Sequence, residues 1–518
     1  MRALLSVWDK TGLVELAAGL AALDVELVAS GGTARALENA GIAHLDVADV
    51  TGFPEMLSGR VKTLHPLLHG AILADRSNDE HRAALEEHGI VAIDLVVSNL
   101  YPFASDPSIE LIDVGGPTMV RAAAKNHQYV GVLTSPDQYD AVLAELTAQG
   151  HLSDATRHAL ARAAFAHTAA YDAQIVRWLD GGGAIGPSPT GADAVLAPTL
   201  HLTLERAAVV RYGENPHQTG ARYRVAGSTP WWDEVGQWAG SALSYLNLFD
   251  ADAGWRLVHE LADDANEADG GNEVAVAIVK HANASGAALG ASLGDAFAKA
   301  LAADPLSAFG GVVAIGGPVD ETLARLIAAG PQADVIIASS YADGALDILA
   351  ARRKATRLLS APRPEPLGLS VRTMGHTALV QGADELLVAP SQWRCVSVRQ
   401  PSDEQLRDLV VAWRVCARTT SNAIVIAHDG VAVGVGAGQQ SRVEAALLAT
   451  RKAGEAARGG AAASDAFFPF ADGLESLTRA GVTAVVQPGG SVRDHEVIDA
   501  ANAAGVVMLL TGERHFRH

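Results

Sequence analysis

Cysteine is nearly absent: Cys395 and Cys416 are the only two in 518 residues. Their separation fits neither a disulfide framework nor a zinc motif. The chain therefore reads as one kept in a reducing, cytoplasmic compartment. Basic residues are also in deficit, 39 Lys and Arg against 59 Asp and Glu, for a formal net charge of −20. A phosphate backbone would meet a like-charged field, so no nucleic-acid partner is expected. No apolar run is long enough to span a bilayer, and the opening "MRALLSVWDKTG" reaches Asp9 and Lys10 too soon for a secretory signal. No membrane partner is expected either. What is present, 49% hydrophobic and 19% charged residues, suits a well-buried globular enzyme rather than a disordered chain. The length implies roughly two to four domains.

The sharpest change of composition is "GGGAIGPSPTGADAVLAP", residues 181–198, where Gly, Pro, Ser and Ala replace any periodic pattern. It places a linker at 181–200 between a first region, 1–180, and a second, 201–518. In the first region the strand-like runs "RALLSVW", "VELVAS", "IDLVVSN" and "YVGVL" alternate with helical stretches that start near Thr11 and Thr33 and end with a long helix near 155–179. That alternation predicts an α/β domain with a parallel sheet covered by helices. The second region contains two loosely similar pieces, "VAVAIVKHANASGAALG" and "SNAIVIAHDGVAVGVGAG". Each reads as an apolar strand followed by a Gly/Ala-rich turn, which hints at two related α/β subdomains.

Four stretches of the first region have the chemistry of a site for a phosphorylated small molecule. "VASGGTARAL" runs from a strand into Gly31-Gly32 and a helix whose first turn holds Thr33, so free N–H groups and the helix dipole would face an anion. "GRVKTLHP" adds Arg60, Lys62 and Thr63, and Pro66 argues against a helix running through His65. "SNLYPF" offers Asn99 and Tyr101 at the end of a strand where open α/β sheets bind ligands. "IDVGGPTMVRAAAKNH" supplies Asp113, a Gly-Gly-Pro lead into a helix, and Lys125 three turns on. Each alone has a plain structural reading: a tight turn, a solvated charge pair, a Lys favouring a helix C-terminus. Together, Lys10, Arg60, Lys62 and Lys125 make a cationic set in an acidic chain, and Asp113 and Tyr101 are proton-transfer partners. No metal cluster is present in the pattern, so the chemistry expected is proton movement and oxyanion stabilisation without a redox cofactor.

In the second region the stretch "AIVKHANASG" ends a buried strand in Lys280 and His281, with Gly286 expected to let the backbone turn. Two cationic side chains at a strand end are a surface feature unless something anionic or electron-rich meets them.

From "SVWDKTG" through "SGGT", "TGFPEML", "GRVKTLHP", "NLYPF", "RAAAKNH", "RYGENPHQ", "VKH", "SAFGG", "GAGQQSR" and "SDAFFPF" to "RHFRH", the whole chain closely resembles one family. That family is the bifunctional purine-biosynthesis enzymes joining inosine monophosphate (IMP) cyclohydrolase to 5-aminoimidazole-4-carboxamide ribonucleotide (AICAR) formyltransferase. The resemblance implies a methylglyoxal-synthase-like N-terminal domain and two cytidine-deaminase-like C-terminal subdomains. It also implies a homodimer with shared formyltransferase sites, and 10-formyltetrahydrofolate as co-substrate without catalytic zinc; room remains for a bound monovalent cation. By the same resemblance, Lys10, Ser30, Gly31, Gly32, Thr33, Arg60, Lys62, Thr63 and Asn99 hold formyl-AICAR or IMP. Tyr101, Asp113, Lys125 and Lys62 serve the ring closure.

For formyl transfer the resemblance implies His281 as the base that takes the proton of the AICAR amine, Lys280 as the oxyanion stabiliser, and His518 near the transfer site. Arg211, Tyr212, Asn247, Gly310, Asp334, Asn422, Arg442 and Arg514 would contact AICAR. Val443, Phe467, Asp472, Ser491 and Val492 would contact the folate. The chain departs from the family pattern at Trp8, in the short loop 104–111, and at Ala284-Ser285. A zinc nucleotide deaminase is the rival enzyme, but no H-x-E with a P-C-x-x-C occurs. A nucleotide-sensing regulatory protein is the rival binder, with little reason to keep Lys125, Lys280 and His281 together.

Overall fold

Five short apolar runs of the first region, Arg2–Leu5, Glu26–Ala29, Leu45–Asp46, Leu95–Val97 and Gly131–Leu133, pair in parallel. Their order across the sheet is third, second, first, fourth, fifth. The interior run Leu95–Val97 is buried at every residue, as a strand covered on both faces must be. In this computed structural model, residues 1–57, 60–183, 196–269 and 273–518 are described, with 267–269 as backbone only. They fall into two compact units, Met1–Thr203 and Leu204–His518. Most of the expected linker, 184–195, lies outside the described residues.

Helices follow the strands as the alternation predicts: Leu13–Ala22, Gly31–Asn39, Pro66–Leu73, Gly115–Lys125 and the long Asp154–Asp180. The second starts two residues before Thr33, at Gly31. Pro66 opens its helix with His65 as the cap, the position where a missing N–H costs nothing. Phe103, almost fully buried, packs edge-on against Tyr171 and Trp178 of the long helix, at 6.1 and 5.5 Å between ring centroids. Truncating such a ring typically costs about 3–5 kcal/mol, so this contact anchors the helix to the sheet.

In the second unit a twelve-stranded sheet is built from two halves with the same order of elements. Each half runs from an edge strand (Gly236–Ala239; Arg394–Cys395) to a long helix (Tyr245–Asp269; Asp403–Ala417) and then a hairpin. The hairpins are Val274–Lys280 with Asn283–Gly290, and Ile424–His428 with Val431–Gly436. Three helix-strand steps follow in each half. The halves join where Asn283–Gly290 pairs antiparallel with Val431–Gly436, Ala287 opposite Ala432. The two similar sequence pieces are these hairpins.

Gly286 does not make the turn. It lies within the second hairpin strand, where a Cβ would stand 2.1 Å from the Ala300 carbonyl oxygen. The glycine is required by close helix-sheet packing, and the turn itself is His281-Ala282. Gly436, in the matching strand, would meet Ala445 O at 2.0 Å. The two long helices are also tied by ion pairs: Arg418 to Glu260 at 2.8 and 2.9 Å, and Arg414 to Asp264.

Candidate functional site

Strand order in the first unit reverses between Arg2–Leu5 and Leu95–Val97, and the crevice beyond such a reversal is where open α/β sheets bind ligands. A cavity of about 780 Å3 opens there. Its walls include Trp8, Lys10, Ser30, Gly32, Thr33 and Arg60. Lys62, Thr63, Asn99, Tyr101 and Asp113 line it as well. Gly31 is at the same lip, with φ +52° and a hypothetical Cβ only 3.2 Å from Lys62 Nζ. The N–H groups of Gly31 and Gly32 have no partner among the described residues, so the helix start is an open anion cradle flanked by ammonium groups.

Burial, and then the neighbouring charge of Lys62, pull the Lys10 ammonium below the usual lysine range. Two like charges held together with open N–H donors are a site that gains when a dianion enters. Opposite them, burial lifts the Asp113 carboxyl above the usual range, against the Gly116 N–H bond and the Lys62 charge. Burial and the Asp113 charge push the Tyr101 phenol up as well. A raised carboxyl beside a phenol and two ammonium groups can exchange protons with a bound nucleotide. Asp113 is itself held by the long helix: its N–H donates to Tyr171 Oη at 2.9 Å, and that hydroxyl donates to Leu111 O at 2.7 Å.

Several expected ligand groups are already spent within the chain. Asn99 Oδ1 accepts from the N–H groups of Trp8 and Asp9 at 2.6 and 2.9 Å, which braces the loop after the first strand. The Thr33 hydroxyl is bonded to both backbone groups of Val7. Arg60 pairs with Glu110. Lys125 is not in the cavity: it is exposed at the last residue of the helix whose first residue, Gly115, lines it. Sequence reasoning missed Glu55, Glu110 and the edge-on packing of Trp8 against Tyr101 at 5.0 Å.

In the second unit Lys280 donates to Phe309 O at 3.0 Å. His281 is exposed at a two-residue turn in which His281 and Ala282 have φ +54° and +56°. Non-glycine residues pay for this left-handed region, about 1 kcal/mol or more. Asp250 accepts from both their N–H groups, at 3.2 and 2.7 Å. A small cavity beside the pair is lined by Lys280, His281, Asn283, Ser285, Ser307 and Lys452 among others.

The remaining expected contacts fall into two sets, one per half. In the first half, Arg211 stacks on Tyr212, and the buried Arg357 reaches Ser241 and Asp334 O. Asn247 Oδ1 accepts from Ser244 N–H at 3.0 Å at the start of its helix, and Gly310 holds φ +73°. In the second half, Arg442 is buried and bonded to Asp465, Ser464 and Asn422, so its fork is engaged within the chain. Phe467, Asp472 and Val492 are exposed, Val443 and Ser491 half-buried. The C-terminal segment docks: Ser421 N–H donates to Arg517 O at 2.9 Å, and His515 N–H to Asp465 O at 3.1 Å. Arg514 lies over Phe516, with His518 edge-on to the same ring. None of Asn422, Arg442, Phe467, Arg514 and His518 lines the cavity beside His281.

Comparison with known proteins gives this geometry a context. The sequence pattern of the AICARFT/IMPCHase bienzyme matches residues 123–452, and that of the MGS-like domain matches 12–128. The bifunctional purine biosynthesis protein PurH of Parvibaculum lavamentivorans is 46% identical over 541 aligned residues, covering 100% of this chain and 97% of its own. The PurH of Bartonella bacilliformis is 46% identical over 538, with the same coverage. That of Mycobacterium marinum is 46% identical over 531, covering 100% and 98%.

Proposed function

The chain belongs to the AICARFT/IMPCHase bienzyme family, with an MGS-like N-terminal domain, and on that premise we propose how its residues divide the work. As a bifunctional AICAR formyltransferase and IMP cyclohydrolase it catalyses the last two steps of purine biosynthesis, with 10-formyltetrahydrofolate as co-substrate. Residues 1–180 carry the cyclohydrolase and 201–518 the formyltransferase, joined by the linker at 181–200, in a cytoplasmic homodimer. The two halves of the second unit are cytidine-deaminase-like subdomains.

In the cyclohydrolase, Gly31 and Gly32 N–H groups with Lys10, Lys62 and Arg60 take the nucleotide phosphate, supported by Ser30 and Thr63. Arg60 exchanges Glu110 for the ligand. Asp113 removes a proton as the carboxamide nitrogen attacks the formamido carbon, and Tyr101 serves the departing water. Asn99 and Thr33 act by shaping the cavity floor. Lys125 is assigned by its motif alone. The observation that carries this reading is the convergence of two ammonium groups, open helix N–H groups, Asp113 and Tyr101 on one cavity.

In the formyltransferase, His281 takes the proton of the AICAR amine as it attacks the formyl carbon. A His suits proton removal at neutral pH. Lys280 stabilises the tetrahedral oxyanion, a role typically worth about 3 kcal/mol. The two sets of contacts, one around Arg211, Tyr212, Asp334 and His281, the other around Asn422, Arg442, Phe467, Arg514 and His518, complete one site across two subunits. Separate assays of the two half-reactions test the division: Lys62→Ala is expected to lose cyclisation of supplied formyl-AICAR and keep formyl transfer, and loss of both would refute it.

A further inference from the structure

We propose that Asp250 is the positioning residue that aims His281, and that Asp408 is its counterpart in the other half, where the turn carries no chemistry. The proposal rests on the reading of His281 as the formyltransferase base. Asp250 is the sixth residue of the helix Tyr245–Asp269, and Asp408 is the sixth of Asp403–Ala417. Both are almost fully buried. Asp250 accepts from His281 N–H at 3.2 Å and Ala282 N–H at 2.7 Å; Asp408 accepts from Asp429 N–H at 3.1 Å and Gly430 N–H at 2.7 Å. One carboxylate thus fixes both left-handed residues of each turn.

The two turns differ in what they ask of that carboxylate. The second has Gly430, which adopts φ +74° without steric cost. The first has Ala282 at φ +56°, a residue that ordinarily avoids this region, preceded by His281 at φ +54°. Without Asp250 the first turn has no intrinsic reason to keep its shape. The backbone of His281 is held on its other side as well: Asn283 Nδ2 donates to His281 O at 2.9 Å, while Asn283 Oδ1 accepts from Thr420 N–H at 2.8 Å. The imidazole therefore leaves a residue whose backbone is held at both its N–H and its C=O. Burial, and to a smaller extent the Asp334 charge, raises the Asp250 carboxyl, while the two N–H bonds and then the His281 charge lower it, so the turn itself helps to stabilise the charge that does the clamping.

The test compares Asp250→Asn, Asp408→Asn, Ala282→Gly and the double variant Asp250→Asn/Ala282→Gly in the full chain, with His281→Ala alongside. Asn keeps the volume but offers one acceptor, leaving one turn N–H against the amide's own hydrogens. Asp250→Asn is expected to lower formyl-transfer kcat about 10- to 100-fold, as a small misplacement of a reacting group does. KM for AICAR and the cyclisation rate should stay near wild type. Asp408→Asn should lower the melting temperature comparably and leave kcat alone. Ala282→Gly, by making the turn easy, should return most of the kcat lost in Asp250→Asn. Normal kcat in Asp250→Asn, or an equal loss in Asp408→Asn, overturns the proposal. If Asp250→Asn alone does not fold, the comparison is made within the Ala282→Gly background, where a loss as large as 10-fold in the double variant contradicts it. An active His281→Ala overturns both this proposal and the reading beneath it; an inactive His281→Ala beside a fully active Asp250→Asn overturns this one alone.

Discussion

The residues proposed for cyclisation and those proposed for formyl transfer are organised in opposite ways. In the first unit, motifs separated by about a hundred positions, from Lys10 to Asp113, reach one cavity because the parallel strands end on the same side. In the second, the motif residues sit in two corresponding places of a duplicated sheet, and of them only Lys280 and His281 line the cavity beside the first hairpin turn. A site built on one sheet edge can close within a chain. A site divided between two similar halves needs another surface to bring its parts together.

The sharpest way to separate the regions is His281→Ala, which should cost formyl transfer about 10²- to 10⁴-fold and leave cyclisation untouched, by parallel assay of the two half-reactions. Next in size is Asp113→Asn, expected to lower cyclisation by about 10²-fold without affecting formyl transfer. The pH profile sharpens this. Burial raises the Asp113 carboxyl, so on acidification its basic form is lost at a higher pH than for an ordinary carboxylate, and cyclisation should fail earlier from that side. Rate-pH profiles of wild type and Asp113→Asn check this, because the acidic limb should disappear in the variant. The smallest effect is that of Tyr171→Phe, which removes the acceptor of the Asp113 N–H. One such bond is worth about 1 kcal/mol, so cyclisation should fall several-fold and the first unit's thermal transition should drop by a few degrees.

The first unit was largely legible in sequence because its strands are apolar runs and the residues that line its cavity stand at strand ends and a helix start. The function of individual atoms was less so. Nothing in "SNLYPF" distinguishes an Asn99 that binds a ligand from one that braces Trp8 and Asp9. In the second unit the turn of the second hairpin is readable from Asp429-Gly430, the usual signature of a tight two-residue turn. The first has His281-Ala282, and its cause is a carboxylate 31 positions earlier. Gly286 drew the turn to itself because a glycine needed for packing looks the same in sequence as one needed for turning. Nor does the sequence show that Arg442 is held by a buried carboxylate, because its partner Asp465 is 23 positions away.

The claim that one formyltransferase site draws on two chains is tested most directly by mixing two inactive variants, His281→Ala and Arg514→Ala, after dissociation and reassociation. If His281 and Arg514 of a site come from different subunits, each mixed dimer has one site with both changes and one with neither. Random assortment then restores formyl transfer to about a quarter of the wild-type rate, as expected for a twofold dimer. Activity in the mixture no greater than the average of the two parents would contradict the account and place the whole site within a single chain.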